Sequence, residues 1–328
     1  MSEDLSIKNK YDPNNPLLVG GQAVIEGVMM KAPHAIATAV RRANGNIEIK
    51  AEPYESISVK YPFLKTPFLR GAVNLIEMMI IGVRTLNYSA DIAMQDAEAE
   101  ENKDKPEAKK KKSGNSNFML FLTLLLAFGI GIALFFVLPL FVTTKLFNLE
   151  NNVLLFNLVS GGIRLGLLLI YIVAISKMKD VHRIFQYHGA EHKLVFTFEQ
   201  GKDLNVENAK TFTTYHPRCG TSFLVVVMLV AIITFALLDA LIIGQLGYIN
   251  LPIRLAIHLP FIPILGGISY EFIRLSAKKT DTLLGKILVA PGLWLQRITT
   301  QEPDEAQLEV ALTALNAALN FKKEEAAR

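Results

Sequence analysis

A chain of 328 residues that is 51% hydrophobic, with a mean hydropathy of +0.32, is too apolar for an ordinary soluble enzyme. Its formal net charge of +4 is small for its length, so the placement of the cations says more than their sum. The single cysteine, Cys219, excludes an intramolecular disulfide and fits a reducing compartment.

The chain opens on a polar stretch, Met1 to Pro16, without the apolar run of a cleavable signal peptide. Residues 1–95 are expected to form a cytoplasmic or interfacial unit. Its first segment, Leu17 to Met30, mixes glycines with apolar residues, and within it Gln22 and Glu26 either face a site or cap a strand end. Ala35–Arg42 and Ile47–Ala51 flank Asn44-Gly45, a pair suited to a type I′ hairpin because both central positions of that turn need positive φ. The alternation of Ile47 and Ile49 with Glu48 and Lys50 marks a half-exposed strand. From Phe68 to about Gln95 a helix is predicted on Ala72, Val73, Leu75, Ile76, Met79, Ile80, Val83 and Leu86. Asn74, Glu77 and Arg84 make it too polar to span a bilayer comfortably, so it reads as interfacial or packed against a bundle. Residues 96–117, with the run Lys109-Lys110-Lys111-Lys112, read as a charged flexible linker.

Residues 118–302 carry four apolar runs, Phe118–Val142, Val153–Ser176, Thr221–Ile243 and Ile253–Leu275. A helix of such a run is about 35 Å long, enough for a hydrocarbon core of about 30 Å. Lys and Arg crowd the stretch before the first run, the loop 177–220 and Lys278-Lys279, whereas the two opposite loops hold Lys145 alone. The positive-inside rule then places both termini and the 177–220 loop in the cytoplasm. Anionic membrane lipid, rather than a specific nucleic acid, is the expected neighbour of the basic run. Inside the runs lie Arg164, Asp239, His258, Glu271 and Arg274. Arg164 and Asp239 are deep enough to be a pair, and Glu271 and Arg274 sit level with the cytoplasmic loop. Leu283–Ile298, with Pro291-Gly292, Trp294 and Arg297, suggests an interfacial or re-entrant segment. Residues 303–328 predict an amphipathic helix that starts at Asp304 and Glu305 and carries the stripe Leu308, Ala311, Leu312, Leu315 and Leu319. That stripe should dock on this chain or on a membrane-protein or assembly partner. The expected fold is thus a mainly α, polytopic bundle of four transmembrane helices with a small β-containing cytoplasmic unit. The oligomeric state is not legible.

The strongest chemical signal is Tyr187-His188-Gly189-Ala190-Glu191-His192. On a helix, His188 and His192 share one face at i and i+4 and can hold one divalent cation, with Glu191 beside them as base or further ligand. The spacing is that of the inverted zincin pattern, His-x-x-Glu-His. A bland alternative is a set of solvated side chains on a cytoplasmic helix. The second signal is His216-Pro217-Arg218-Cys219-Gly220-Thr221-Ser222, where His216 and Cys219 can offer an imidazole and a thiolate to the same ion. Here Thr221 or Ser222 is expected to cap the following helix, with Cys219 at its N-terminus. Phosphate-loop and dinucleotide-binding glycine patterns are absent from the sequence.

These two motifs, together with Gly20-Gly21-Gln22-Ala23-Val24-Ile25-Glu26-Gly27-Val28-Met29-Met30, resemble the YqhQ-like family of bacterial membrane proteins over most of the chain. The resemblance implies a metal-dependent enzyme in the bacterial inner membrane, with no defined reaction. The expectation is therefore a divalent metal, zinc first, on His188, His192 and one or both of His216 and Cys219. Glu191 or Glu271 would serve as the base in a hydrolase acting on a peptide or a lipid-linked ester. Two rivals stand beside it: a metal-stapled scaffold or insertion factor with all four ligands filled, and a metal-free Cys219 nucleophile served by His188 or His216.

Overall fold

A computed structural model describes residues 9, 11–12, 17–67, 69–104, 116–147, 149, 152–277 and 282–321. Four strands, β1 (Gly20–Val24), β2 (Gly27–Lys31), β3 (Ala35–Arg41) and β4 (Ile47–Pro53), form an antiparallel meander in the order β1-β2-β3-β4. The sequence pattern disclosed only the β3–β4 hairpin. In β2 the run Val28, Met29 and Met30 is buried on both faces, so the period-2 alternation that marks a strand is missing. The β3–β4 turn also differs from the expected type I′. Only Gly45 takes positive φ, at 87°, and its N–H donates to the Arg42 carbonyl at 2.9 Å. Asn44 stays on the ordinary side, as in longer loops built on a type I turn followed by a left-handed glycine.

After a single turn, α1 (Ile57–Lys60), the long α2 (Leu69–Asp104) follows, running nine residues past Gln95 into the stretch expected to be linker. Residues 105–115, with the lysine run, lie outside the described residues. Next come α3 (Ser116–Ile132), a π-helical turn (Ala133–Val137), α4 (Leu138–Leu146), α5 (Val153–Ser176), α6 (Lys179–Glu199) and the short α7 (Val206–Lys210). The chain ends with α8 (Gly220–Leu246), α9 (Leu251–Ala277), α10 (Leu283–Thr299) and α11 (Glu305–Leu319).

Among the described residues four helices are long and apolar enough to cross a membrane: Leu122–Phe147, Val153–Ser176, Gly220–Leu246 and Leu251–Ile273. Their outward residues, such as Phe128, Ile170, Ile233 and Leu241, are exposed and apolar, while Asn157, Ser160, Arg164, Asp239, Arg254 and His258 are buried. Asp239 of α8 is fully buried. Its carboxylate accepts from Arg254 Nε at 3.1 Å, from His258 Nε2 at 2.9 Å and from Asn157 Nδ2 at 2.8 Å. The expected Arg164–Asp239 pair does not form. Arg164 donates to the Phe135 carbonyl at 2.8 Å, inside the π turn where the regular helix ladder is interrupted. The side chain of Arg274 lies outside the described residues. The Leu283–Ile298 segment lies in one continuous helix through Pro291, with Leu295 and Gln296 buried.

Nearly half of the 177–220 stretch, read as a loop, is the helix α6. Its apolar face, Tyr187, Ala190, Leu194 and Phe198, follows the helical period and packs with Val28, Met30, Ala37 and Ala39 of the sheet. α11 completes this core. Asp304 and Gln307 form a capping box, and Leu308, Ala311, Leu312 and Leu315 are buried against the sheet and α6. The C-terminal stripe therefore docks on this chain. On the opposite face of the sheet, Val24 and Val40 pack on Ile92 and Tyr88 of α2.

Candidate metal centre

α6 sets His188 and His192 one turn apart, with ring centroids 4.4 Å from each other. Cys219 arrives from a tight turn, in which its N–H donates to the His216 carbonyl at 3.2 Å. It is itself the N-cap of α8, in place of the expected Thr221 or Ser222, and its Sγ accepts the Thr221 N–H at 3.4 Å. One ligand atom from each of His188, His192 and Cys219 lies within 4.8 Å of the others.

The second nitrogen of each ring decides what the first can do. His188 Nδ1 donates to the Thr299 carbonyl at 2.8 Å, and His192 Nδ1 donates to the Thr214 carbonyl. A carbonyl can only accept, so in each neutral ring the proton sits on Nδ1 and Nε2 presents a lone pair. His188 Nε2 is 3.2 Å from Cys219 Sγ, and His192 Nε2 is 3.5 Å from Glu191 Oε2. Backbone carbonyls behind both imidazoles are the usual outer support of metal-ligating histidines. Glu191 is buried, and its Cγ rests on β1, where a Cβ on Gly21 would lie 3.1 Å away.

His216 does not join this group. Its Nδ1 accepts the Arg218 N–H at 3.2 Å, and its Nε2 is 3.4 Å from Glu199 Oε2. Burial lowers its pKa, with the Glu191 charge pulling the other way. Glu199 also grips the Arg218 guanidinium. Glu271 is held elsewhere as well: Arg70 clamps both its oxygens, at 2.6 and 2.5 Å, where α2 meets α9. Glu26, at φ 50°, sits in the β1–β2 turn and binds Arg183 and Tyr187 of α6, so it anchors the sheet instead of facing the cluster. Gln22 bonds to Gly82 and Thr85 of α2. Sequence reasoning missed Glu199, whose proximity to His216 follows only from the return of the chain after α6. It also missed the carbonyls of Thr214 and Thr299, which leave no side-chain signature.

Close approach of the chain behind His188 depends on Gly189. A Cβ there would stand 2.1 Å from the Gln301 carbonyl oxygen, next to the Gln301 N–H bond to Phe185. Gly189→Ala should therefore destabilise the protein by about 3 kcal/mol, against the gain of about 1 kcal/mol expected in an exposed helix. Thermal unfolding in detergent gives the sign directly.

These features define a helical protein in which four helices of membrane-crossing length join a small sheet-and-helix unit that carries a His–His–Cys cluster. The chain belongs to the family described as a protein of unknown function (DUF1385), whose model matches residues 66–321. It is similar to the uncharacterized protein YqhQ of Bacillus subtilis (strain 168), 34% identical over 315 residues that cover 94% of each chain. The expected YqhQ-like membership thus holds. No solved structure matches.

Proposed function

We propose that this protein is a membrane-embedded, metal-dependent hydrolase that holds one divalent ion on His188, His192 and Cys219. One observation carries the reading. With its proton on Nδ1, His192 turns an Nε2 lone pair toward the Glu191 carboxylate at 3.5 Å, acceptor against acceptor, in a buried place. A cation beside both relieves that repulsion, and the Cys219 Sγ and His188 Nε2 supply the rest of the donor set. Mixed imidazole and thiolate donors suit zinc best. When bound by three protein ligands, zinc keeps a fourth position open and supplies Lewis acidity there.

Glu191 is the base in this reading. It takes a proton from the attacking water and returns it to the leaving group, and its burial beside the cluster excludes bulk water from that exchange. Cys219 caps α8, so in this reading the bond to be cut lies near the start of that apolar helix. That position fits a peptide or lipid-linked ester at the boundary. The Lys and Arg asymmetry supports a bacterial inner-membrane protein with both termini and the cluster facing the cytoplasm, in contact with membrane lipid.

With His216 engaged by Glu199 and Arg218, a closed structural site would need Glu191 as its fourth ligand. The thiol nucleophile has its own support, because the Sγ to Nε2 distance of 3.2 Å and the Thr299 carbonyl behind His188 make an oriented Cys–His dyad. Purified His188→Ala and His192→Ala proteins should each lose most of the bound ion, while His216→Ala keeps it. Full metal content in the His188/His192 double variant contradicts the proposal. Undiminished activity of metal-stripped protein, abolished by Cys219→Ser, selects the dyad.

A further inference from the structure

α2 is built inside out. Between Asn74 and Ser89 the side it turns to the protein carries bonded polar groups, with apolar Ile92 following only near the sheet. Asn74 donates to the Tyr270 hydroxyl at 3.0 Å. Glu77, 6% exposed, accepts from Tyr54, Ser56 and the Ile57 N–H at 3.0, 2.9 and 2.5 Å. Thr85 accepts from Gln22 at 2.9 Å and Ser89 from the Ile25 N–H at 3.2 Å. The side it turns away is apolar: Ile76, Met79, Ile80, Val83 and Leu86 are between 39% and 59% exposed. A helix in water puts these two faces the other way round. From Leu69 to Leu86 the apolar face is about 26 Å long at 1.5 Å per residue.

We propose that this face is a docking surface for the cytoplasmic leaflet of an anionic bilayer, and that α2 lies on it as a monotopic helix. Continuity supports that occupant. α2 begins against α9, where Gly71 meets Gly267 and Tyr270 so closely that a Cβ would fall 2.7 to 3.0 Å from them, and Leu75 lies over Gly266. The apolar face of α2 therefore extends the apolar surface of a helix long enough to cross the membrane. The segment leading into it exposes Tyr61 and Phe63 beside Lys60 and Lys65, the aromatic and cationic anchors of a headgroup region. Because α2 also carries the sheet, and the sheet carries Glu191 at Gly21, docking holds the candidate site at the membrane boundary. The inference rests on reading α9 as a membrane span.

The test uses the full chain with Trp294→Phe, in phosphatidylcholine–phosphatidylglycerol vesicles whose acyl chains are brominated. A tryptophan placed at Ile80 or Val83 should be quenched about twofold or more by the brominated lipid and be shielded from aqueous acrylamide. Ile233→Trp on α8 is the control for the spans, and Lys50→Trp on β4 the control for solvent. Acrylamide quenching at position 80 equal to that at 50, with 233 still lipid-quenched, overturns the docking surface alone. Loss of quenching at 233 as well overturns the span reading with it. Shielding from both quenchers with two chains per particle assigns the face to a second copy and also overturns the proposal. The unmodified chain gives an independent measurement. A diazirine carried on the lipid acyl chain should label the tryptic peptide 71–84, and an unlabelled peptide contradicts the docking.

Discussion

Asp239→Ala is expected to lower the thermal midpoint in detergent by about 10 °C, from a loss of roughly 3–5 kcal/mol. Three helices meet on this one carboxylate, through Asn157 of α5, Arg254 and His258 of α9, and Asp239 itself of α8. Arg254 is fully buried, with its guanidinium 3.4 Å over the Phe156 ring, and His258 stacks on Phe235 at 4.0 Å. Removing the carboxylate takes from buried Arg254, His258 and Asn157 an acceptor that all three share, which costs far more than the loss of a surface pair. Asp239→Asn keeps an acceptor of nearly the same shape and should fall between wild type and alanine. A midpoint for Asp239→Ala within about 2 °C of wild type would show that the cluster contributes little to folding.

Glu191→Gln carries the second large effect, on function. The amide keeps the size of the carboxylate and can still rest on Gly21, so abundance and metal content should stay near those of wild type. Losing the base should lower turnover by about 100-fold to 10,000-fold, seen as failure to complement a deletion strain. If Glu191 is instead a ligand of a closed structural site, the same substitution lowers metal content and abundance together. Full complementation at normal abundance removes Glu191 as the base.

The apolar helices were legible because their signal is additive: some 23 apolar residues in a row outweigh any local detail. So were His188 and His192, whose i, i+4 spacing needs only a helix to bring them together. Cys219 joins them across 27 residues of sequence, and the motif spacing anticipated it only as one of two further donors, with His216 beside or instead of it. The choice depends on what else each group touches. Glu199, near the end of α6, takes His216, and no spacing rule reports that. The Arg164–Asp239 pairing failed for a similar reason. Depth in the apolar runs put the two at one level, but a π turn offered Arg164 a carbonyl, and Arg254 reached Asp239 from the next helix. Strand β2 was hidden because burial on both faces erases alternation, and β1 because its Gly20-Gly21 start offers no side chains to alternate, whereas β4, half exposed, kept the pattern.

Metal stoichiometry with X-ray absorption at the metal edge, on the purified full chain in lipid, tests the central assignment most directly. About one zinc per chain is expected, with two nitrogens near 2.0 Å and one sulfur near 2.3 Å from the imidazoles of His188 and His192 and the thiolate of Cys219, plus one lighter oxygen neighbour. The sulfur contribution should vanish in Cys219→Ser while His216→Ala leaves the spectrum unchanged. Metal-free protein that is folded and active, or a shell without sulfur in the wild type, would contradict the assignment.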